Sequence, residues 1–482
     1  MAIQKLNDPF LVADFSSGLI DDLSVSKPLL PKNAVRKAIN VIFNRPRGSI
    51  RQRLGTTRVG DAAVASTTIL GVHNFRSSNS SYHQLLAVAG STVYALSGTT
   101  WGSTTTVSTS GLKTRFITYL DRVAVLNGTD TPKMWDGSGS WETSGGRLDI
   151  GSFPVSKFAT TINTRILAAG DSSNPDTISL SSLVSANAIS WTSGNKTVQV
   201  SPQDGAGSIT GVTGNGVVAL IFKERGLYRY DDNTLQRVGY VGTPSYESIA
   251  TDDNGITYFF GQGANGVGFY MTQGGRPIKI SRAITRYVEA IAGSYYDDVA
   301  AYTDGTNVEW SVGSITIDGI TYSNASFVYS VSDKTWTVYN RAHSFRVFSQ
   351  YIDSSSNITV VGGDTAGNVQ TIGSGNTDNG TAIQAEAELS PIVFTTRGRT
   401  KTVSEIMAFT EEYQGLSVDI RTDDNKWFPL GSLKEGNQHF HNFPLLRGNE
   451  FHIRLKGNNT ATPWELTGFE FPAGSVQDEG YR

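Results

Sequence analysis

An all-β fold follows from three observations. Glycine makes up 51 of the 482 residues and aromatics 10%, while charged residues are only 17%, below the usual quarter. Threonine and serine are abundant and long Ala/Leu/Glu/Lys runs are missing, the composition of strands joined by tight turns. From about residue 68 to about residue 375 one unit also recurs: strand, turn, a very apolar strand, a Gly or Asp turn, and a strand bearing Tyr or Trp. Its clearest copy is Ile209–Tyr230, in which Gly214, Asn215 and Gly216 turn the chain and Val217 to Phe222 form the apolar strand. Unit starts near Ile69, Phe116, Phe158, Ile209, Ile249, Ala301 and Val347 are roughly 40–50 residues apart, the repeat of four-stranded propeller blades. The predicted fold class is therefore all-β: a six- or seven-bladed β-propeller over residues 61–375, a C-terminal β-sandwich over 376–482, and a short N-terminal basic arm over 1–60.

The arm comes first. Pro28 and Pro31 bracket an extended piece. Asn33 is placed to N-cap a short helix through Ala34, Val35, Ala38 and Ile39. Leu23 to Gly60 holds no Asp or Glu but carries nine basic residues, leaving 31 of the 40 Lys and Arg against all 43 acids elsewhere. Such a basic block ahead of an acidic body marks a separate surface with its own partner. Arg36, Lys37, Arg45, Arg47, Arg51, Arg53 and Arg58 are the candidate partner-docking residues, against the plainer reading of a solvated loop. Only Phe43 interleaves them, so a stacking platform for single-stranded nucleic acid is not expected.

The units follow. Each is too small to bury both faces of its sheet alone, and a ring of neighbours buries them mutually. In the fourth unit the turn at Lys223, Glu224 and Arg225 is expected to face solvent. SRAITRYVEAIAG interrupts the pattern as a helix with Ser281 as N-cap, Ile284, Val288 and Ile291 on one face, and Gly293 as its stop. Gly373–Thr381 reads as a linker. Beyond it AIQAEAELS, IMAFTEEY, LSVDIRTDD, KWFPLGSL, HFHNFPL, FHIRLKG and LTGFEFPA alternate as the strands of a separate sandwich. The tail SVQDEGYR is expected to be loosely ordered.

No cysteine is present, which excludes disulfides and thiolate metal sites. MAIQKLNDPFLVADF lacks the apolar run of a signal peptide, and no stretch approaches the ~18 apolar residues of a membrane span, so no membrane anchor is expected. His439, His441 and His452 form a trio that zinc could use if neighbouring strands brought them together, but a solvated sheet face accounts for them as well. Asp231–Asn233, Asp252–Gly255 and Asp423–Asn425 lack calcium-loop spacing and read as turns. Ser332–Trp336 resembles an Asp-box hairpin without its glycine, and the acid pair of a glycosidase cannot be assembled from the sequence. No catalytic, cofactor or metal residues are assigned, and no cofactor is expected.

SSGLIDD, KAINVIFN and RGSIRQRLG in the N-terminal block, with VVALIFKERGLYRY, VGTPSYESIATDDNGITYFF and PIKISRAI further on, give the chain a resemblance. It resembles the head-to-tail stabilisation proteins, also called tail hub or nozzle proteins, of short-tailed bacteriophages. The resemblance runs in order along most of the chain. It implies a non-enzymatic structural virion protein of the tail that assembles with itself as a ring, commonly six copies. That ring would join a portal-side adaptor to tail fibres or spikes and surround the exit channel of the genomic DNA. The basic block would then dock on an acidic neighbour, since tight Arg–phosphate contacts would resist a sliding duplex. The alternative is a carbohydrate-binding or glycoside-cleaving propeller on a tail or cell surface, with Trp310 and Trp336 gathered at a pocket.

Overall fold

The computed structural model describes residues 4–5, 8–21, 30–44, 48–78, 83–107, 109–214, 216–264, 266–353, 356–394, 400–423, 426–441, 443–458 and 462–478. The middle of the chain is a succession of small antiparallel sheets, each a meander of consecutive strands. The first is Ile69–Arg76, His83–Ala89, Thr92–Ser97 and Thr100–Thr106, and the second is Arg115–Tyr119, Arg122–Leu126 and Lys133–Trp135. The third is Phe158–Ile162, Arg165–Ala169, Thr177–Leu180 and Lys196–Gln199. The fourth is Ile209–Gly214, Ala219–Lys223, Gly226–Tyr230 and Leu235–Gly239. The fifth is Ala250–Thr251, Thr257–Gly263, Gly266–Thr272 and Ile278–Lys279. Ala300–Thr303, Asn307–Ile317, Ile320–Ser330 and Trp336–Asn340 make the sixth, and Phe345–Ile352, Ile358–Asp364 and Val369–Ile372 begin the seventh.

The leading strand of each sheet packs against the leading strand of the next, the fourth reaching the fifth through the turn Tyr246–Ser248. Phe345–Ile352 returns to Ile69–Arg76, so the circuit closes. This is propeller organisation, and it explains the sequence pattern. The second strand of a sheet lies between neighbours on both faces, and Ala219–Lys223 is accordingly buried at every position.

The N-terminal segment departs from expectation. It is not an arm. Thr56–Arg58 pairs antiparallel with Val369–Ile372 and adds a strand to the seventh sheet, so the two ends of the circuit share one sheet. Ala34–Ile39 is a strand, not a helix. Asn33 does not cap it: its side chain donates to Ser16 and accepts from Ser17. Six residues are too few for a stable isolated helix, whereas strand partners wait on both sides. Trp336–Asn340 of the sixth sheet runs parallel on one side and Ala385–Leu389 antiparallel on the other. The sixth sheet thereby continues through Ala34–Ile39 into Ala385–Leu389, Phe451–Gly457, Leu416–Thr422 and Phe428–Ser432. Phe10–Ala13, Val41–Asn44 and Ser49–Gln52 join a second C-terminal sheet with Glu465–Phe471, Ile406–Glu412 and Asn437–Phe440.

The C-terminal strands thus stand where they were expected but are not separate. A single buried cluster runs from Phe15, Val35 and Val41 through Phe269, Trp310 and Trp336 to Ile453, Trp464 and Phe469. The expected linker is also built in, because Thr377–Asp378 pairs with Thr56–Arg58 and Asp378 is buried. So is the described part of the tail: Val476–Asp478 lies between Gln4–Lys5 and Lys401–Val403, while residues 479–482 lie outside the described residues. The expected helix is shortened to a 3-10 turn, Ser281–Ile284, and Thr285–Glu289. Ser281 does not cap it but accepts the Phe269 N–H, and β-branched Ile284, Thr285 and Val288 give it little helix propensity. Ile284, Val288 and Ile291 are buried together as the spacing required. Among the described residues no helix is long and apolar enough to cross a membrane.

Candidate functional site

The basic residues of the N-terminal block are dispersed by these strands. Arg36 lies 3.4 Å from Glu388, and Lys37 lies 2.7 Å from Glu386, both carboxylates on the adjoining strand Ala385–Leu389. Arg51 is half-buried with Glu465 as its cross-strand neighbour. Arg53 is 1% exposed, its fork held by Asp378 at 2.8 and 2.6 Å. Arg58 is exposed and donates to the Asp61 carbonyl at 2.8 Å. Arg45 and Arg47 lie outside the described residues, as do Lys27 and Pro28. Of the described candidates, Arg36, Lys37 and Arg53 serve internal ion pairs, and Arg58 remains on the surface.

Arg53 belongs to a buried polar junction that sequence reasoning missed. Its centre is Asn40, 2% exposed and held at φ 56 between Ala34–Ile39 and Val41–Asn44. Asparagine tolerates that left-handed backbone better than most residues. Its amide donates to the carbonyls of Asn340 (3.1 Å) and Gln384 (2.7 Å). Its side-chain oxygen accepts from Arg53 Nε (2.8 Å) and the Asn340 N–H (2.9 Å). One side chain thus bonds the N-terminal segment, the outer strand of the sixth sheet and the chain leading into the C-terminal strands.

Beside it Arg341 is bidentate to Glu309 at 2.7 and 2.6 Å, and Tyr302 donates to the same carboxylate at 2.9 Å. The Tyr339 ring lies between the guanidiniums of Arg53 (5.2 Å) and Arg341 (5.1 Å). Burial, reinforced by Glu309, drives both tyrosine hydroxyls well above their usual range. Burial also opposes ionisation of Asp378, but the hydrogen bonds and charge of Arg53, with Arg341 and the Ala342 N–H, outweigh it and hold the carboxyl below its usual value. The available signal was slight: an asparagine between two apolar runs and an arginine thirteen residues on.

A second constellation occupies one mouth of the circuit, where a cavity of about 710 Å³ opens. Arg115 sits in its wall with the Phe158 and Tyr246 rings each 4.8 Å from its guanidinium carbon and Glu247 2.9 Å from its Nε. Burial pushes the Tyr246 hydroxyl up to about 12. The turn Gly293–Asp298 contributes Gly293, Tyr296, Asp297 and Asp298 to the lining. Lys113 reaches the Asp297 carbonyl and, at 3.1 Å, Asp298; Arg346 reaches Asp298 at 2.7 Å; and Ser245 bonds the carbonyls of Asp297 and Val299. Cations from the connection into the second sheet and from the seventh sheet therefore tie this turn down.

The remaining candidates resolve simply. His439 and His452 stand on different sheets, so the trio does not share a face. His439 lies 2.8 Å from Glu405 and His452 is buried. Asp231 accepts the Asn233 and Thr234 N–H groups, and Asp252 those of Asn254 and Ile256, as turn residues do. Asp423 accepts the Asn449 and Glu450 N–H groups, while Asp424 and Asn425, like Asn215, lie outside the described residues. Lys223 corrects the expected solvent-facing turn. Its side chain is 0% exposed and pairs with Asp176 at 2.9 Å and Asp204 at 3.4 Å, while Glu224 and Arg225 do face solvent. Trp310 and Trp336 stack in the core with centroids 5.9 Å apart, bonded to the Ser248 and Ile280 carbonyls.

No family model and no curated protein matches the chain. Solved structures similar to it include YCF48 bound to D1 peptide, at 10% identity and TM-score 0.38, covering 67% of this chain and 94% of that one. The WD40 domain of coronin from Toxoplasma gondii is similar at 11% identity and TM-score 0.38, covering 70% and 86%. The AfRom2 CNH domain is similar at 9% identity and TM-score 0.37, covering 67% and 98%. The class defined by the sheets themselves is an all-β protein of propeller type.

Proposed function

We propose that this protein is a structural component of a bacteriophage tail, a ring-forming hub or nozzle that acts without catalysis. In this reading the seven sheets are seven propeller blades. The two larger C-terminal sheets, filled out by N-terminal strands, form a β-sandwich that meets fibres or spikes. The observation that carries it is the Asn40–Arg53–Asp378 junction. Asn40 and Arg53 lie in KAINVIFN and RGSIRQRLG, the stretches that resemble tail hub proteins. There they bond propeller and C-terminal strands into one unit. The tied-down turn Gly293–Asp298 favours DNA passing along the axis of the assembled ring, outside each propeller's own mouth. Among the described candidates, the surface that carries Arg58 is the one offered for docking on an adaptor. The glycan alternative loses Trp310 and Trp336, which are core residues.

Cryo-electron microscopy of virions, with mass photometry of the purified protein, tests the proposal. A closed ring, commonly of six copies, between head and fibres is expected. A protein that stays monomeric at micromolar concentration and is absent from particles overturns it.

A further inference from the structure

A smaller cavity, about 180 Å³, lies between the fourth and fifth sheets. Its volume is that of about six water molecules at ~30 Å³ each. One wall is a row across the fourth sheet, where Thr213, Leu220 and Arg229 are successive cross-strand partners. The other is a row across the fifth, where Thr251 faces Thr257. The hydroxyls run on from one wall to the other: Thr213 lies 3.4 Å from Thr251, and Thr251 lies 3.1 Å from Thr257. The same two sheets also meet through Leu220, Phe222, Leu227, Phe259 and Tyr270, an apolar interface whose edge, at Leu220, reaches the cleft.

Arg229 is exposed and, among the described residues, is the one charged residue in the lining. The neighbouring Asp231 carboxylate is engaged by two backbone N–H groups of its own turn, and the Arg229 charge also acts on it. Gln273 adds an amide, and Val218 with Leu220 an apolar patch. Gly255 and Gly274 form part of the rim at φ +74 and +89, with nothing within 4 Å of where a side chain would begin, so the space beside them is open.

We propose that this cleft binds a carboxylate-bearing sugar. Arg229 offers a planar fork that matches a carboxylate. Each threonine hydroxyl both donates and accepts, and so can serve the ring hydroxyls of a saccharide. The apolar patch suits the C–H face of the ring. This assignment is independent of the tail reading: it concerns one propeller, assembled or not.

Ligand-observed NMR and calorimetry on the full chain, with glucuronate, glucose and acetate as separate probes, test it. Glucuronate is expected to bind saturably with Kd near ~1 mM. Glucose and acetate should each bind roughly tenfold more weakly, because each lacks one half of the recognition. Arg229→Gln should weaken glucuronate roughly tenfold or more, with an unchanged thermal midpoint because the residue is exposed. Thr213→Val should weaken glucuronate but not acetate. Absence of saturable glucuronate binding, binding indifferent to Arg229→Gln, or acetate binding as tightly as glucuronate overturns the proposal.

Discussion

Replacing Asn40 by alanine is expected to destabilise the protein by about 5 kcal/mol. Four side-chain hydrogen bonds are lost, two to the carbonyls of Asn340 and Gln384 and two from Arg53 and Asn340. At about 1 kcal/mol net each, they account for ~4 kcal/mol. Alanine at φ 56 adds about 1 kcal/mol of backbone strain. Asn40→Gly removes the strain but not the lost bonds, so it should recover only the last ~1 kcal/mol. Asn40→Asp keeps the acceptors for Arg53 and Asn340 while losing both donors, and should fall between wild type and alanine. Urea unfolding followed by tryptophan fluorescence gives all three values. A loss of less than ~1 kcal/mol for alanine, or a glycine variant as stable as wild type, would refute the claim that this side chain holds three parts of the chain together.

Two further outcomes follow from the same core. The Asp378 carboxyl is held below its unfolded value, so its contribution to stability is present above the unfolded value near pH ~3.9 and is lost as pH falls through the lower folded value. Asp378→Asn should therefore be clearly less stable than wild type at pH 7, and the gap should narrow below pH ~3. Urea midpoints measured across pH check this, and a gap that does not change with pH contradicts it. Trp336→Ala should cost ~3–5 kcal/mol, since the ring is 1% exposed, stacks on Trp310 and packs tilted against Phe269. Calorimetric melting reads the loss, and a surface-like effect below ~0.5 kcal/mol would place Trp336 outside the core.

Much of the circuit was legible in the sequence. The expected starts near Phe116, Ile249 and Val347 fall within two residues of Arg115, Ala250 and Phe345, where the leading strands begin. Apolar runs between Gly and Asp turns carry this information locally, because every sheet must bury its middle strands the same way. At Lys223 the local reading failed. A lysine beside Glu224 and Arg225 looks like a solvated turn, and nothing nearby in the sequence says that Asp176 and Asp204 will surround it.

The N-terminal segment shows the limit most clearly. Asn33, Ala34, Val35, Ala38 and Ile39 satisfy a helix start as well as they satisfy a strand, and the choice was made by residues some three hundred positions away. Its basic residues could not be read as ion-pair partners until Glu386, Glu388 and Asp378 were brought beside them. Composition and periodicity by themselves determined that this chain is all-β and repeats, because strand alternation and turn chemistry act over a few residues. Only the tertiary structure decided that its two ends meet in one sheet and that Asn40 joins its parts. Pairing between distant strands is selected by burial and by satisfying every backbone and side-chain hydrogen bond at once, which no single segment encodes.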